Sequence, residues 1–475
     1  MPPSTFRPWQ LLVLSAETDS ALKSATESLT SYFKQHPDVN LADVAYTLQH
    51  NSQAFEHRRT VVCRDTADAV VALSDAKRVL SGIQETKERS VAFMFPGLGT
   101  HYVNMAWELY QVEPIFQKQV DYCCEFLKRR LGQDLRDVLY PDRSSQTQEQ
   151  QSVQENSQKY SQAGVGLDLR KMLGRSETKT DTKILSATSL LNQTHLAQPA
   201  IFVIEYALAQ LLISWGIRPQ SMIGYSIGEY VAATLAGVLS LDEGLTLIAA
   251  RAQMIDKLPG GAMLAVPLSE TEIPPILNDN LSLSAVNGPS MCVIAGKIDA
   301  IEALEQQLTR KGLACRRLET SHAFHSHMME AVSSDLRELV KGFNLEAPEI
   351  PYISNVTGTW ITAAEATNPD YWVKHLCQPV LFAPGIQELW KQQYPILLEI
   401  GPGQTLGSFA FQCIENNPAV SQIILPSLRY SYDKKPDLAF LLKTLGRLWL
   451  AGVQIDWSQF DAHECRHLIP LPKSL

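Results

Sequence analysis

The run Gly224-Tyr225-Ser226-Ile227-Gly228 constrains this chain more than any other stretch. Apolar residues lead into it at 212–217 and 222–223, as for a buried approach ending in a strand. A helix-forming run, 230–236, follows it and stops at Gly237. A serine between two glycines, where a strand turns sharply into a helix, is the pattern of a nucleophile elbow. Glycines at 224 and 228 leave room for the backbone to cross itself, which lifts the Ser226 hydroxyl into the open. The helix behind aims its free N–H groups and positive end at whatever occupies that hydroxyl. The competing reading is a tight turn whose serine only caps a helix.

A chain of 475 residues, 45% hydrophobic and 19% charged, has the make-up of a globular protein with a large core and two or three subdomains. Its 41 Lys+Arg against 50 Asp+Glu leave a net charge of −9. With no long basic run, neither nucleic acid nor membrane is expected as a partner. The eight cysteines are scattered without C-x-x-C spacing, as reduced cytosolic thiols would be. The N-terminus lacks a charged-then-apolar signal, and no apolar run approaches membrane-spanning length. The expectation is a soluble cytoplasmic protein.

Residues 7–86 read as a small α/β unit, with strands at 11–14 and 57–62 and helices at 19–33, 41–48 and 67–80. A strand at 90–95 then runs into Pro96-Gly97-Leu98-Gly99-Thr100-His101. No Gly-Lys-Ser/Thr follows, which excludes a phosphate-binding P-loop. The turn either offers a backbone N–H to an oxyanion, as an elbow serine would need, or is an ordinary strand-to-helix turn. The polar, aromatic-poor run 142–183 is expected to be a mobile surface loop. A weak echo of 132–139 at 166–173 reads as a local duplication without chemistry. Gln198-Pro199-Ala200 opens a long apolar helix to Leu212.

Ser240-Leu241-Asp242-Glu243 has the form of a capping box, and the helix it starts carries Leu245, Ile248, Ala252 and Ile255 on one face. Arg251 falls beside that stripe. Spacing alone favours an arginine snorkelling from a half-buried face; the alternative is a guanidinium that meets a substrate carboxylate in bidentate fashion. Strands at 263–268, 281–286, 292–295 and 315–318, with helices at 269–277 and 299–311, follow the ferredoxin-like order β-α-β-β-α-β. This inserted small domain would form one wall of a cleft. It empties into Ser321-His322-Ala323-Phe324-His325-Ser326-His327. H-x-x-H-x-H matches no standard ligand spacing and lacks the glutamate of H-E-x-x-H, so no metal is expected. A packed or surface histidine cluster stays open, but an exposed serine in need of a base makes one of these rings the general-base candidate. Strands at 351–356 and 396–400, the latter ending at Gly401-Pro402-Gly403, precede an amphipathic helix stopped by Gly452 and an extended tail from 455.

In this order and spacing, several segments together carry a resemblance. They are Phe93-Met94-Phe95-Pro96-Gly97-Leu98-Gly99, the elbow through Glu229, Arg251, Asn287-Gly288-Pro289, His322-Ala323-Phe324-His325, Asn355-Val356-Thr357-Gly358, Tyr371-Trp372 with His375-Leu376, and Gly401-Pro402-Gly403. Over nearly its whole length the chain resembles the acyltransferase domain of modular polyketide synthases with its flanking linkers. The resemblance implies an α/β fold: an α/β-hydrolase-like large subdomain (89–261 and 325–426) with an inserted ferredoxin-like small subdomain (262–324). A ketosynthase-to-acyltransferase linker-like α/β domain (1–88) would precede it and a post-acyltransferase linker (427–475) would follow.

The same resemblance implies Ser226 as nucleophile and His325 as base, the carbonyl of His375 holding the other ring nitrogen where a hydrolase would use an aspartate. The N–H groups of Leu98 and Ile227 would form the oxyanion hole. Arg251 would clamp a free carboxylate, in place of the snorkelling that spacing favours. His322, Phe324, Tyr225, Gln198 and Asn287 would line the pocket and set acyl selectivity. The His322-Ala323-Phe324-His325 segment is similar to the form associated with malonyl, Phe324 filling the space an α-methyl group needs. Two departures stand out: Leu98 where the family usually has glutamine, and Tyr225 where it usually has histidine. Expected substrates are malonyl-CoA and the phosphopantetheine thiol of an acyl carrier protein, with no bound cofactor. A ketosynthase is the further partner expected through the N-terminal linker. The alternatives are a serine thioesterase or hydrolase, a methylmalonyl or acetyl specificity, and a docking or scaffolding piece without activity.

Overall fold

The computed structural model describes residues 6–51, 55–84, 89–143, 179–391, 395–414 and 423–472. Most of the expected surface loop (144–178), with the second copy of the echo at 166–173, lies outside the described residues. The last residues assigned to that loop begin a helix, Lys179–Leu191.

Three sheets organise the described residues. β1 (Gln10–Ala16), β2 (His57–Cys63) and β3 (Leu80–Ile83) form an antiparallel sheet in that order. The helix expected at 67–80 stops at Ser74. Arg78 then pairs with Asp68 at 2.6 Å and donates to the Val62 carbonyl at 2.9 Å, which swings the chain back so that 80–83 adds to β2 as a strand.

β4 (Val91–Phe95) is buried at all five positions and sits at the centre of a second sheet. β5 (Ser221–Gly224), β10 (Tyr352–Ile353), β12 (Ile396–Pro402) and β13 (Ile424–Leu428) complete it, all parallel, in the order β10-β5-β4-β12-β13. A strand apolar on both faces needs cover on both, and helix Thr194–Ser214 supplies much of it, packing on β12 and on helices Ile227–Leu235 and Leu241–Asp256. This helix corrects two expectations. It begins four residues before Gln198 and carries Pro199 inside it. It is also long and apolar enough to cross a membrane, yet 83% of its apolar window is buried inside the protein. Such burial makes it the central core helix.

The third sheet holds β6 (Ala262–Val266), β7 (Leu281–Gly288), β8 (Met291–Gly296) and β9 (Arg316–Arg317) in the ferredoxin-like order β7-β8-β6-β9. The helix expected at 269–277 is replaced by two 3-10 turns, Glu270–Glu272 and Pro274–Ile276. Pro274 and Pro275 have no N–H to give and restrict the residues before them, so the turn started by the Ser269–Glu272 capping box cannot propagate. The sheet is also not self-contained. β11 (Val380–Leu381), about a hundred residues further along the chain, pairs in parallel with β7. Helix Asp437–Leu450 packs on both β2 and β13 and so joins the first sheet to the second. The tail beyond it is broken by one helical turn, Trp457–Phe460.

Beneath the C-terminal edge of the second sheet lie two fully buried carboxyls, Glu205 and Glu399. Glu399 accepts the N–H groups of Leu406 (3.1 Å) and Gly407 (2.8 Å), whereas neither Glu205 oxygen has a partner among the described residues. Burial, with Glu399 nearby, pushes the Glu205 carboxyl well up; burial pushes Glu399 to about 8 against the pull of its N–H donors. A carboxyl raised in the folded state favours folding at low pH, and that contribution fades as pH rises from the ordinary carboxylate range through the raised value. Thermal stability is therefore expected to fall between pH 6 and pH 9. Glu205→Gln should flatten the fall, by ~1.4 kcal/mol for each pH unit over which only the native carboxyl stays protonated. Melting curves at both pH values check this; an unchanged slope in the variant would refute it.

Candidate active site

Ser226 stands between β5 and helix Ile227–Leu235 with φ 53° and ψ −109°, a strained conformation for a residue with a side chain. Four hydrogen bonds hold it there. Tyr225 N–H donates to the Phe95 carbonyl (2.9 Å) and Gly228 N–H to the Tyr225 carbonyl (3.0 Å). Ser226 N–H donates to Asn355 Oδ1 (2.8 Å), and Asn355 Nδ2 donates to the Gly224 carbonyl (2.6 Å). The flanking glycines are sterically required. A Cβ on Gly224 would lie 2.1 Å from the Glu229 nitrogen, and one on Gly228 would lie 2.1 Å from the Phe95 carbonyl oxygen.

The Ser226 hydroxyl is 2.6 Å from His325 Nε2. On the far side of the ring, Nδ1 is 3.0 Å from the His375 carbonyl and 3.2 Å from the Gln378 carbonyl. Carbonyls only accept, so Nδ1 carries the hydrogen and Nε2 is left as the acceptor facing the serine. Burial, then the neighbouring His375 and Arg251, hold the His325 pKa well below the ordinary imidazole value, against the two carbonyls that raise it. The ring is thus neutral at neutral pH and can take the serine proton.

Arg251 is only 1% exposed. One guanidinium nitrogen, Nη1, donates to Gln198 Oε1; Nε and Nη2 have no partner among the described residues. Its Cζ lies 5.5 Å from the centre of the Tyr230 ring, and that ring is 4.9 Å from His375. Burial lowers the Arg251 pKa. A buried cation with two of its three nitrogens short of a hydrogen-bond acceptor carries a desolvation penalty of several kcal/mol, and an anion delivered to Nε and Nη2 would relieve it.

The remaining predicted residues divide by what they touch. Ile227 opens its helix, where an N–H has no intrahelical acceptor. Leu98 sits between Gly97 and Gly99, both at positive φ, and a Cβ on Gly97 would strike the Tyr225 carbonyl at 2.5 Å, so this turn abuts the elbow. The Tyr225 ring packs against Phe382 (5.8 Å) and Phe409 (6.5 Å). Asn287 is buried, and its carbonyl accepts from Cys413 Sγ. Phe324 is nearly buried, its carbonyl fixed by Ser284 Oγ at 2.9 Å and its ring 6.1 Å from His322. His322 does not reach the serine. Its Nδ1 meets Ser321 Oγ (2.8 Å) and its Nε2 the Leu258 carbonyl (3.3 Å), so it braces the loop. His327 meets Ser282 Oγ at 2.7 Å, and the three histidines therefore point to three different partners. Sequence reasoning missed Gln378, and named Glu229, Asn355 and Tyr371 among the resembling segments without giving them a role; contacts spanning 129 residues, as from Ser226 to Asn355, leave no local signal.

Residues 92–455 match a family model described as acyl transferase domain, and residues 10–73 match one described as CurL-like, PKS C-terminal. The chain is 32% identical over 476 residues to a component of the phenolphthiocerol/phthiocerol polyketide synthase of Mycobacterium tuberculosis, covering 98% of this chain and 29% of that protein. It is 30% identical over 471 residues to the spectinabilin polyketide synthase system protein NorB of Streptomyces orinoci, covering 97% and 20%. The chain thus spans less than a third of the length of these relatives. Among solved structures, the acyl transferase domain of ZmaA matches with a TM-score of 0.85 and 36% identity, over 99% of this chain and 100% of that one. The acyl transferase domain of SpnD in complex with 2-(pent-4-yn-1-yl)malonyl matches with 0.76 and 34%, over 94% and 96%.

The tautomer and burial of His325 make a prediction independent of any substrate. Followed by NMR through its imidazole protons, His325 should titrate below the ordinary value of 6.5. A midpoint at or above 6.5 would contradict the electrostatics of the site.

Proposed function

The chain belongs to the acyl transferase domain family of polyketide synthases and is an acyltransferase; on that premise we propose that it moves a malonyl unit from malonyl-CoA to the phosphopantetheine thiol of an acyl carrier protein. The observation that carries the malonyl reading is Arg251: a buried guanidinium with two donor nitrogens unpartnered among the described residues, close enough to depress the basicity of His325. Those donors suit the free carboxylate of a dicarboxylic acyl group in bidentate geometry. The nearly buried Phe324, its backbone pinned by Ser284, narrows the space where an α-methyl group would sit. A substituted malonyl group in the related SpnD domain is of the same chemical class.

Ser226 Oγ attacks the thioester carbonyl carbon as its proton passes to His325 Nε2. The tetrahedral oxyanion is held by the N–H groups of Leu98 and Ile227. The intermediate collapses with cleavage of the carbon–sulfur bond; the CoA thiolate takes the proton from His325, and a malonyl–serine ester remains. The carrier thiol, deprotonated by His325, attacks that ester, and the Ser226 oxygen regains the proton as it leaves. The route needs no bound cofactor: malonyl-CoA and the carrier's phosphopantetheine arm are both substrates. Residues 1–88 act as a linker towards a ketosynthase and 427–475 as a second linker, around a large subdomain of 89–261 and 325–426 and a small one of 262–324. A cytoplasmic setting suits the acyl-CoA substrate and the eight free cysteines.

Intact-protein mass spectrometry after brief incubation with malonyl-, methylmalonyl- and acetyl-CoA in competition tests the reading. A single malonyl adduct mapping to Ser226, absent in Ser226→Ala, is expected. A methylmalonyl adduct would overturn the role of Phe324, and steady CoA release without an adduct would make the chain a hydrolase. Arg251→Ala should lower malonyl acylation by roughly 30-fold or more, the equivalent of the ~2–5 kcal/mol for breaking a buried charge pair. Acetyl transfer should be spared, so that preference moves towards acetyl; unchanged selectivity would remove the clamp.

A further inference from the structure

The proposed steps leave one buried charged group beside the serine–histidine pair unused. Glu229, on helix Ile227–Leu235, has no exposed surface. Its Oε2 accepts the Asn355 N–H at 2.7 Å and lies 3.3 Å from His375 Nε2. That second contact is close without being a formed hydrogen bond, and neither His375 ring nitrogen has a hydrogen-bond partner among the described residues. Glu229 Oε1 accepts the Tyr371 hydroxyl, whose oxygen is 2.7 Å from Ser354 Oγ.

Burying a carboxylate is expensive unless donors surround it. The donors here are not scattered through the core. Asn355 is the residue whose side chain holds the Ser226 N–H and the Gly224 carbonyl. His375 is the residue whose carbonyl holds His325 Nδ1. Tyr371 lies one helical turn before His375 in helix Pro369–Cys377. One carboxylate therefore bonds the support of the serine and faces the support of the histidine.

We propose that Glu229 is a positioning residue for acyl transfer: through Asn355 and His375 it sets Ser226 against His325, and its charge supports the imidazolium formed when the serine proton moves. A carboxylate thus serves this site from one residue further back than the aspartate of a hydrolase triad, which touches its histidine directly. The inference rests on Ser226 and His325 acting as nucleophile and base.

The test uses the full chain and rapid-quench acylation with malonyl-CoA, measuring the saturating rate, the half-saturating concentration and the pH profile. Glu229→Gln keeps the shape and removes the charge. The saturating rate should fall roughly 10- to 100-fold, the range expected for losing a hydrogen bond to a charged group. Half-saturation should hold, because Arg251 is untouched. The acid inflexion should move to lower pH, because a charge that favoured the imidazolium is gone. The other titratable groups around the pair stay in place: Arg251, Tyr230, Tyr352 on β10, and Tyr371, His375 and Cys377. His375→Phe keeps the carbonyl that holds His325 but removes the ring facing Glu229, so the double variant should lose less than the product of the two single losses. A folded Glu229→Gln with wild-type rate and inflexion would overturn the proposal, as would strictly multiplicative losses. If Glu229→Gln does not fold, Tyr371→Phe is judged by the same rate, and an unchanged rate refutes the role. Failure of the wild-type chain to take an acyl group would instead sink the acyl-transfer reading, which keeps the two failures distinct.

Discussion

The site depends on a place where two backbones come closer than any side chain permits. Gly228 lies against the Phe95 carbonyl and Gly224 against the start of the elbow helix, at distances a Cβ could not occupy. This contact presses the end of β4 onto the end of β5, bringing the Gly97-Leu98-Gly99 turn to the serine. The same device recurs outward along the sheet edge. Gly97 is closed on by the Tyr225 carbonyl, and Gly401 by Pro96 and Glu205. Each loop at this edge is located by the next, so the position of the Leu98 N–H is inherited from the packing of several strands and not from the loop itself.

Against that rigid frame the electrostatics are unbalanced. Arg251 is buried with two nitrogens that have no hydrogen-bond partner among the described residues, and burial first, then His375 and Arg251, hold the His325 pKa down. An arriving carboxylate would neutralise Arg251 and remove one of the influences that hold the imidazole pKa down. If the proposed clamp holds a dicarboxylic group, the ring would then be a stronger base with the group in place than without it, and selectivity would act on the chemical step as well as on binding.

Much of this was legible in the chain. The elbow, the glycine turn, the capping box at Ser240 and the ferredoxin-like strand order are local patterns, and each is present in the structure. Arg251 was not legible from spacing, because a buried arginine and a snorkelling one share the same helical periodicity; only the family resemblance distinguished them. The helix expected at 269–277 failed at two prolines whose effect outweighed an apolar pattern. The strand at 80–83 was hidden because its edge pairing depends on Arg78 finding Asp68. Gln378 itself, and the roles of Asn355, Glu229 and Tyr371, escaped for a different reason. Their contacts join segments more than fifty residues apart, and nothing in either segment announces the other.

The short strand β11 has a mechanical consequence. Two residues before it, the Gln378 carbonyl meets His325; within it, the Leu381 N–H donates to the Asn355 carbonyl at 2.9 Å, and Asn355 holds Ser226. Its other edge is stitched to β7 of the ferredoxin-like sheet. That sheet is consequently no free flap. Any rocking that carries β7 away must drag, or unzip from, the very segment that contacts both Asn355, which holds Ser226, and His325. A displacement of β7 would therefore bear, through β11, on the backbone that holds Ser226 and His325.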